Sequence, residues 1–385
     1  MNKEQLIYLL KTKKIVCFGS GDSSENFLNQ LPLLEIEFFL DNDLTKNNTD
    51  FRNRKVIHPT NLKKDEWNKY FIIICSMYSN EIKGDLINYG LNENTNYIDS
   101  IDLKKILNLN SLFPNGHFYS PIPEIDILSK NNATQYLENN ELQGVELNIE
   151  RQNALLKEIM PIINDFKEVV YGNEVLRYNP NNHYFGLLDS AVLFAMLHEL
   201  RPKRIIEIGS GYSSAVMLDA KEILDLDSRL LFIDPNPERL KSLLQSNDLK
   251  KENIEIKNLP VQLVDIEEFK KLEENDILFV DSSHVSKMGS DVNYIMFNIL
   301  PLLKKGVIIH FHDLFYPFEY PETWINEGRY WNEAYLLRSF LQYNNSFAIE
   351  FWTDYIQKQQ KSNSSKEVQF FYSEAGASLW LKKIV

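Results

Sequence analysis

The stretch Ile205-Ile-Glu-Ile-Gly-Ser-Gly-Tyr-Ser-Ser214 decides the fold, because a buried strand there runs into a glycine-rich turn and a helix start. A second copy, Ile15-Val-Cys-Phe-Gly-Ser-Gly-Asp-Ser-Ser24, aligns with it without gaps at an offset of 190 residues. Each copy precedes another strand that ends in an aspartate, Asp41 or Asp234. Glycine permits the tight turn, helix-start N–H groups face a ligand, and the aspartate can accept ribose hydroxyls. The sequence therefore predicts an α/β protein of two tandem units.

The two copies differ two positions before the first glycine, where the first has Cys17 and the second has Glu207. A carboxylate suits a cationic methyl donor, because the amino-acid end of S-adenosylmethionine carries an ammonium group. Glu207-Ile-Gly-Ser-Gly resembles motif I of the class I S-adenosylmethionine-dependent methyltransferases, and the order of predicted strands after it resembles theirs over residues 110–385. The resemblance implies two Rossmann-like units, the second with a seven-stranded sheet whose last strand is antiparallel.

A narrower resemblance lies further along the chain. FVDSSH, followed by SDVNYIMFNILPLLKKGVIIHFHD, is similar to the cephalosporin-hydroxylase-like and macrolide-sugar O-methyltransferase group. In that group two strand ends flank the methyl acceptor. Ser282 and Ser283 depart from the group's usual small and acidic pair.

The predicted donor pocket includes the glycine turn and the ends of neighbouring strands. Gln262 is a candidate to contact the adenine edge, or it is a solvated loop residue. Tyr184 and Asp189 are candidates for the donor pocket. Alternatively, Tyr184 belongs to the aromatic core and Asp189 caps the helix that follows. The predicted donor-binding residues are Tyr184, Glu207, Gly209, Ser210, Gly211, Ser213, Ser214, Asp234, Pro235, Gln262 and Asp281.

Methyl transfer to a hydroxyl requires a base, and His284 is the first candidate. It lies three residues after Asp281, at the carboxyl end of a strand where α/β sheets bind ligands. Histidine titrates near neutral pH. The alternative is a surface histidine at a helix start. His312 and Asp313 close the neighbouring strand and are candidates for a base and its orienting partner, or for groups that bind the acceptor.

The same resemblance implies Mg²⁺ held by Asp281 and Asp313. Sugar O-methyltransferases of this type carry paired acidic residues at the later strand end, and here His312 replaces one of them. Mg²⁺ prefers oxygen ligands, so this replacement argues against the metal.

The domain prediction has three parts. Residues 1–107 form a small Rossmann-like accessory domain, 108–180 a linker and helical lid, and 181–385 the catalytic domain. The first domain resembles the small units attached to sugar-modifying transferases. We expect this domain either to have a structural or docking role or to bind a nucleotide through Gly19, Gly21 and Asp41. Ser24 replaces the third glycine of the dinucleotide motif, which argues against nucleotide binding. Residues 357–366 are predicted as a polar loop.

Composition excludes several classes of protein. Among 385 residues, 41 Lys and Arg stand against 54 Asp and Glu, and this net charge of −13 argues against a nucleic-acid partner. The hydrophobic content of 44% indicates globular packing. Cys17 and Cys75 lie in apolar runs, which favours free thiols in a reducing compartment. No apolar run is long enough for a membrane span, so the sequence predicts a cytoplasmic protein. A homo-oligomer is compatible with this prediction.

These observations predict an S-adenosylmethionine-dependent O-methyltransferase that acts on a small-molecule, sugar or glycan-linked hydroxyl. The glycan acceptor follows from the resemblance alone. Two alternatives stay open: an enzyme that uses NAD or a nucleotide-sugar through the first unit, and a non-catalytic binding protein of glycan assembly.

Overall fold

The computed structural model describes residues 1–63, 65–107, 118–123, 142–171, 175–359 and 369–385. The chain divides into two compact units, Met1–Asn131 and Asn132–Val385. In the predicted linker and lid, residues 108–117, 124–141 and 172–174 lie outside the described residues, as do residues 360–366 of the predicted polar loop. The boundaries of the three predicted domains stay a prediction.

The first unit is a parallel α/β sheet with one antiparallel edge strand. Its helices are α1 (Lys3–Thr12), α2 (Asp22–Gln30), α3 (Ser79–Asn88) and α4 (Ser100–Leu107). Its strands are β1 (Lys14–Phe18), β2 (Phe38–Leu40), β3 (Asp50–Phe51), β4 (Arg54–Ile57), β5 (Tyr70–Ile74) and β6 (Tyr97–Asp99), in the order β3-β4-β2-β1-β5-β6.

Both faces of this sheet are buried. In β5, Phe71 and Ile73 pack into one apolar cluster while Ile72 and Ile74 pack into another. Strands covered on both faces have nearly continuous apolar sequences, as β1 and β5 do. The β3–β4 hairpin was not predicted. Its strand β3 has only two residues, and its turn places Arg52 and Asn53 in the left-handed region.

The second unit contains the predicted seven-stranded sheet. Its strands are β7 (Arg204–Ile208), β8 (Arg229–Ile233), β9 (Ile254–Lys257), β10 (Ile277–Val280), β11 (Ile308–Phe311), β12 (Phe347–Trp352) and β13 (Leu379–Lys383). The order is β12-β13-β11-β10-β7-β8-β9, and β13 is antiparallel to both of its neighbours. The predicted fold class is therefore confirmed.

Helices cover the second sheet. They are α5 (Ile149–Tyr171), α6 (Leu187–Leu200), α7 (Tyr212–Ile223), α8 (Glu238–Leu243), α9 (Glu267–Lys270), α10 (Asp291–Tyr294), α11 (Glu322–Asn326), α12 (Glu333–Leu341), α13 (Thr353–Gln359) and α14 (Gln369–Ser373). Helix α6 is buried along most of its length and begins two residues before Asp189. Gly186 is its N-cap, so the alternative in which Asp189 caps this helix is wrong. No described helix has the length and apolarity that a membrane crossing requires.

Candidate functional site

The glycine turn after β7 is tightly packed against the end of β10. Gly209 has φ +81°, and a Cβ at this position would lie 1.9 Å from the carbonyl oxygen of Asp281. Only glycine therefore allows this close approach. The first unit repeats the arrangement, since a Cβ on Gly19 would lie 2.5 Å from the carbonyl oxygen of Cys75.

Glu207 connects β7 to the start of α7. Its side chain is fully buried, and its two carboxyl oxygens accept hydrogen bonds from the hydroxyls of Ser213 (2.5 Å) and Ser214. The Ser214 hydroxyl also accepts from the Gly211 amide at 3.0 Å. Burial raises the pKa of Glu207 to about 8, although the two serines act to lower it.

Asp234 lies beside the same turn. It accepts hydrogen bonds from the backbone N–H (2.8 Å) and hydroxyl (3.1 Å) of Ser210 and from the Asn236 amide (2.7 Å). Asp41 bonds Ser20 in the same way, but it also pairs with Lys46 at 3.0 Å. Among the described residues no cation pairs with Asp234, so the two turns differ where a ribose would bind.

Aromatic and polar side chains lie around the turn of the second unit. Tyr184 is 42% exposed, and its ring lies parallel to that of Tyr212 at 6.0 Å. The Arg239 guanidinium stands 3.7 Å above the Tyr184 ring. Gln262 donates to the carbonyl of Gly289 at 2.9 Å, and its buried Oε1 has no hydrogen-bond partner in the part of the chain that is described. Pro235 is exposed.

His284 lies at the carboxyl end of β10 and is only 4% exposed. Its Nε2 is 3.3 Å from Oδ1 of Asp281 and 3.7 Å from Oδ2 of Asp313. Its Nδ1 is 2.9 Å from Oε2 of Glu333, at the start of α12. The imidazole therefore lies between carboxylates on both sides, and the alternative of a surface histidine is wrong.

His312 lies on the other side of the same two aspartates. Its Nδ1 is 3.6 Å from Oδ1 of Asp281 and 3.6 Å from Oδ1 of Asp313. Its Nε2 is 3.6 Å from Asp189, which also bonds the Ser378 hydroxyl at 2.6 Å. Two buried histidines and two half-buried aspartates therefore meet where β10 and β11 end.

The histidines and aspartates of this cluster shift one another's pKa values. Burial opposes protonation of His284, but its bonds with Asp281 and Glu333 outweigh burial and raise its pKa to about 10. Burial likewise opposes protonation of His312, and Asp313 and Asp281 raise its pKa. Burial acts to raise the pKa of Asp281, but the two histidines lower it. In this arrangement the carboxylates favour the cationic form of both imidazoles.

One oxygen from each of Asp281 and Asp313 and one nitrogen of His284 lie within 4.8 Å of one another. This spacing is compatible with a divalent cation. The two carboxylates are the ligands that Mg²⁺ prefers, whereas the imidazole suits softer divalent metals. Asp281 and Asp313 are therefore suitable ligands for Mg²⁺, whereas His284 is not.

Comparison with known proteins identifies the family of the second unit. Residues 206–314 match the model of a methyltransferase domain. An uncharacterised protein of Archaeoglobus fulgidus is 36% identical over 171 residues, which cover 43% of this chain and 76% of that protein. The chain belongs to the class I S-adenosylmethionine-dependent methyltransferase family.

Solved structures of methyltransferases are also similar to the chain. CmcI with Mg and SAM is 20% identical, with 51% of this chain and 71% of CmcI covered and a TM-score of 0.30. The O-methyltransferase TomG from Streptomyces achromogenes, in complex with SAM, is 13% identical, with 60% and 90% covered and a TM-score of 0.34. Likeness at this level carries no argument about the site. In the first unit, residues 11–96 match the C2185-like N-terminal family.

The methyltransferase unit brings most of the predicted residues together in two groups. Gly209, Ser210 and Asp234 share one turn, whereas His284, His312, Asp281 and Asp313 share the strand ends. Glu207 is covered by two serine hydroxyls, so its predicted contact with the donor ammonium stays a prediction. His310 is a core residue, stacked on Phe279 at 3.8 Å and bonded to Ser378.

Two functional candidates were missed from the sequence. Glu333 lies 49 residues after His284, and nothing in its local sequence distinguishes it from a surface glutamate at a helix start. Arg239 follows Asp234 by five residues in a polar segment. Only the fold places each of them beside the site.

Proposed function

We propose that this protein transfers a methyl group from S-adenosylmethionine to a hydroxyl of a sugar or glycan-linked acceptor. The observation that carries the donor assignment is the turn of the second unit. There Gly209 is pressed against β10, and Asp234 is held by Ser210 without a paired cation among the described residues. The ribose hydroxyls of the donor can bind Asp234, and its methionine end lies over Gly209–Gly211 at the N-terminus of α7.

The adenine has a candidate partner in Gln262. A buried amide oxygen without a hydrogen bond is costly, and the exocyclic amine of adenine would supply the missing donor. Tyr184 is an exposed aromatic residue close to the turn, with the Arg239 guanidinium over one face of its ring. Pro235 continues the loop from Asp234 and lines the same side in this proposal.

The acceptor hydroxyl is assigned to the cluster at the ends of β10 and β11. His284 is the proposed base, with His312 and Asp313 beside it. Because its raised pKa keeps the imidazole protonated, His284 must lose a proton before it can act as a base. We therefore expect turnover to increase with pH. The aromatic segment 315–331, in which the rings of Trp324 and Trp331 lie 5.2 Å apart, can bind a sugar ring.

Mg²⁺ is a second component of the proposal. Asp281 and Asp313 would hold the ion, whose positive charge would orient an acceptor oxygen. Calorimetry of EDTA-treated protein with Mg²⁺ checks this. We expect binding that Asp313→Asn abolishes, and no heat of binding in the unchanged protein would exclude the ion.

Calorimetry with S-adenosylhomocysteine tests the donor pocket. We expect one-site binding that Asp234→Ala weakens at least tenfold. The matched variant Asp41→Ala should bind S-adenosylhomocysteine as tightly as the unchanged protein does, because Asp41 already forms an ion pair with Lys46. Equal affinity of the Asp234→Ala variant would refute the pocket. Binding of NAD⁺ that Asp41→Ala abolishes would support the rival function through the first unit.

The acceptor is tested with labelled S-adenosylmethionine and a panel of free sugars, sugar nucleotides and glycans. Transfer of label to a sugar hydroxyl is expected. Transfer only to amines, or only to non-sugar hydroxyls, would exclude the glycan assignment. Donor binding without transfer to any acceptor would favour a non-catalytic binding protein.

A further inference from the structure

The Arg239 side chain lies against the glycine turn of the second unit. A Cβ on Gly211 would lie 3.0 Å from Cδ of Arg239, so the missing side chain of Gly211 leaves room for the arginine stem. The guanidinium carbon lies 3.7 Å from the centre of the Tyr184 ring, which stacks in turn on Tyr212 at the start of α7. The turn and the two rings therefore hold the guanidinium in place.

The Arg239 guanidinium has no carboxylate partner in the part of the chain that the structure describes. Arginine carries a positive charge and several N–H donors in one plane, a pattern that matches carboxylates and phosphates. Stacking on the Tyr184 ring stabilises the charge but leaves the N–H groups at the edge of that plane available. Arg239 is also exposed, so a ligand can reach these groups.

The first unit has a basic residue at the same spacing, but its contacts differ. Lys46 follows Asp41 by five residues, as Arg239 follows Asp234. Lys46 folds back and pairs with Asp41 at 3.0 Å. Among the described residues, Arg239 forms no ion pair with Asp234 and contacts the Tyr184 ring instead. The second turn therefore keeps its aspartate and its cation apart, each available to a different group of a ligand.

The methyl donor has one negative group, the carboxylate at its methionine end. Its sulfonium and ammonium groups suit acidic surroundings, whereas Asp234 and Asp281 would repel the carboxylate. We propose that Arg239 binds this carboxylate and so selects donors that keep their whole amino-acid end. This inference rests on the proposed function, which places the methionine end over Gly209–Gly211. A guanidinium can donate two parallel hydrogen bonds to one carboxylate, which fixes the orientation of the bound group.

Calorimetry of the full-length protein with two adenosyl compounds tests the inference. S-adenosylhomocysteine has the carboxylate, and S-adenosyl-3-thiopropylamine is the same molecule without it. We expect the unchanged protein to bind S-adenosylhomocysteine roughly 10- to 100-fold more tightly, the effect of a hydrogen bond between charged groups. Arg239→Met should remove this preference, and so should Arg239→Gln, which keeps a polar side chain at this exposed position. Arg239→Lys should keep part of it, because lysine retains the charge without the planar fork.

Arg229→Met is the control, because Arg229 forms an exposed pair with Glu255 at 3.0 Å. It should change neither affinity. Equal affinities for the two compounds in the unchanged protein would overturn the inference. An equal loss for both compounds in Arg239→Met and Arg239→Gln would also overturn it, since Arg239 would then only support the Tyr184 ring. Failure of the proposed function is distinct, because the unchanged protein would then bind neither compound.

Discussion

Glu207 is a carboxyl group placed where water cannot reach it. Its two serine partners supply hydrogen bonds but no positive charge. Ionisation is therefore unfavourable, and burial raises its pKa to about 8, compared with 4.5 for the ordinary side chain. The residue that distinguishes the second glycine turn from the first thus makes folding sensitive to pH.

Glu207→Gln should remove that sensitivity. The folded protein binds a proton at Glu207 that the unfolded chain releases above about pH 4.5, so this stabilising contribution is complete below that pH and is lost as the pH rises to about 8. Urea unfolding at pH 5, 6, 7 and 8 measures the difference. Relative to the variant, the unchanged protein should lose stability by up to about 1.4 kcal/mol per pH unit. Parallel profiles would show that Glu207 ionises normally.

At the scale of elements, a buried ion cluster joins the segment before α6 to α7. The Arg177 side chain is 1% exposed and bonds Asp219 (2.8 Å), Glu222 (2.8 Å) and Asp248 (2.6 Å). Asp248 is also 1% exposed. Removing the cation would leave carboxylates buried without their main partner, which is expensive in a medium of low dielectric constant.

Arg177→Met should therefore destabilise the second unit by about 3–5 kcal/mol in urea unfolding. Arg229→Met is the matched control, because Arg229 pairs with Glu255 at 3.0 Å where the two side chains are 50% and 40% exposed. The control should cost about 1 kcal/mol or less. Equal losses in the two variants would mean that the buried cluster contributes no more than a surface pair.

At the scale of the whole molecule, each unit has apolar clusters of its own. Phe71 is fully buried in the first unit, and Phe232 is fully buried in the second. None of the residues assigned to the donor lies in the first unit. Donor binding should therefore depend on the stability of the second unit alone.

Paired core variants test this separation. Phe71→Ala and Phe232→Ala should each cost about 3–5 kcal/mol in the unfolding of their own unit. Calorimetry with S-adenosylhomocysteine should give unchanged affinity for folded Phe71→Ala and reduced binding-competent protein for Phe232→Ala. Loss of binding in Phe71→Ala would show that the first unit supports the donor pocket.

The sequence by itself determined the two α/β units, most of their strands and the glycine turns. These features depend on local patterns, since buried parallel strands are continuously apolar and a turn such as that at Gly209 requires glycine. The two-residue strand β3 escaped prediction because its pattern is too short to distinguish from a loop.

Only the tertiary structure decided the environment of the predicted side chains. His284 is an ordinary histidine in the sequence, and its protonation is set by Asp281 and by Glu333, which lies 49 residues away. In the same way, Lys46 forms an ion pair with Asp41, whereas no described cation pairs with Asp234, although the two turns have nearly the same sequence. Burial and charge act through space, so the chemistry of each site depends on neighbours that the fold brings together.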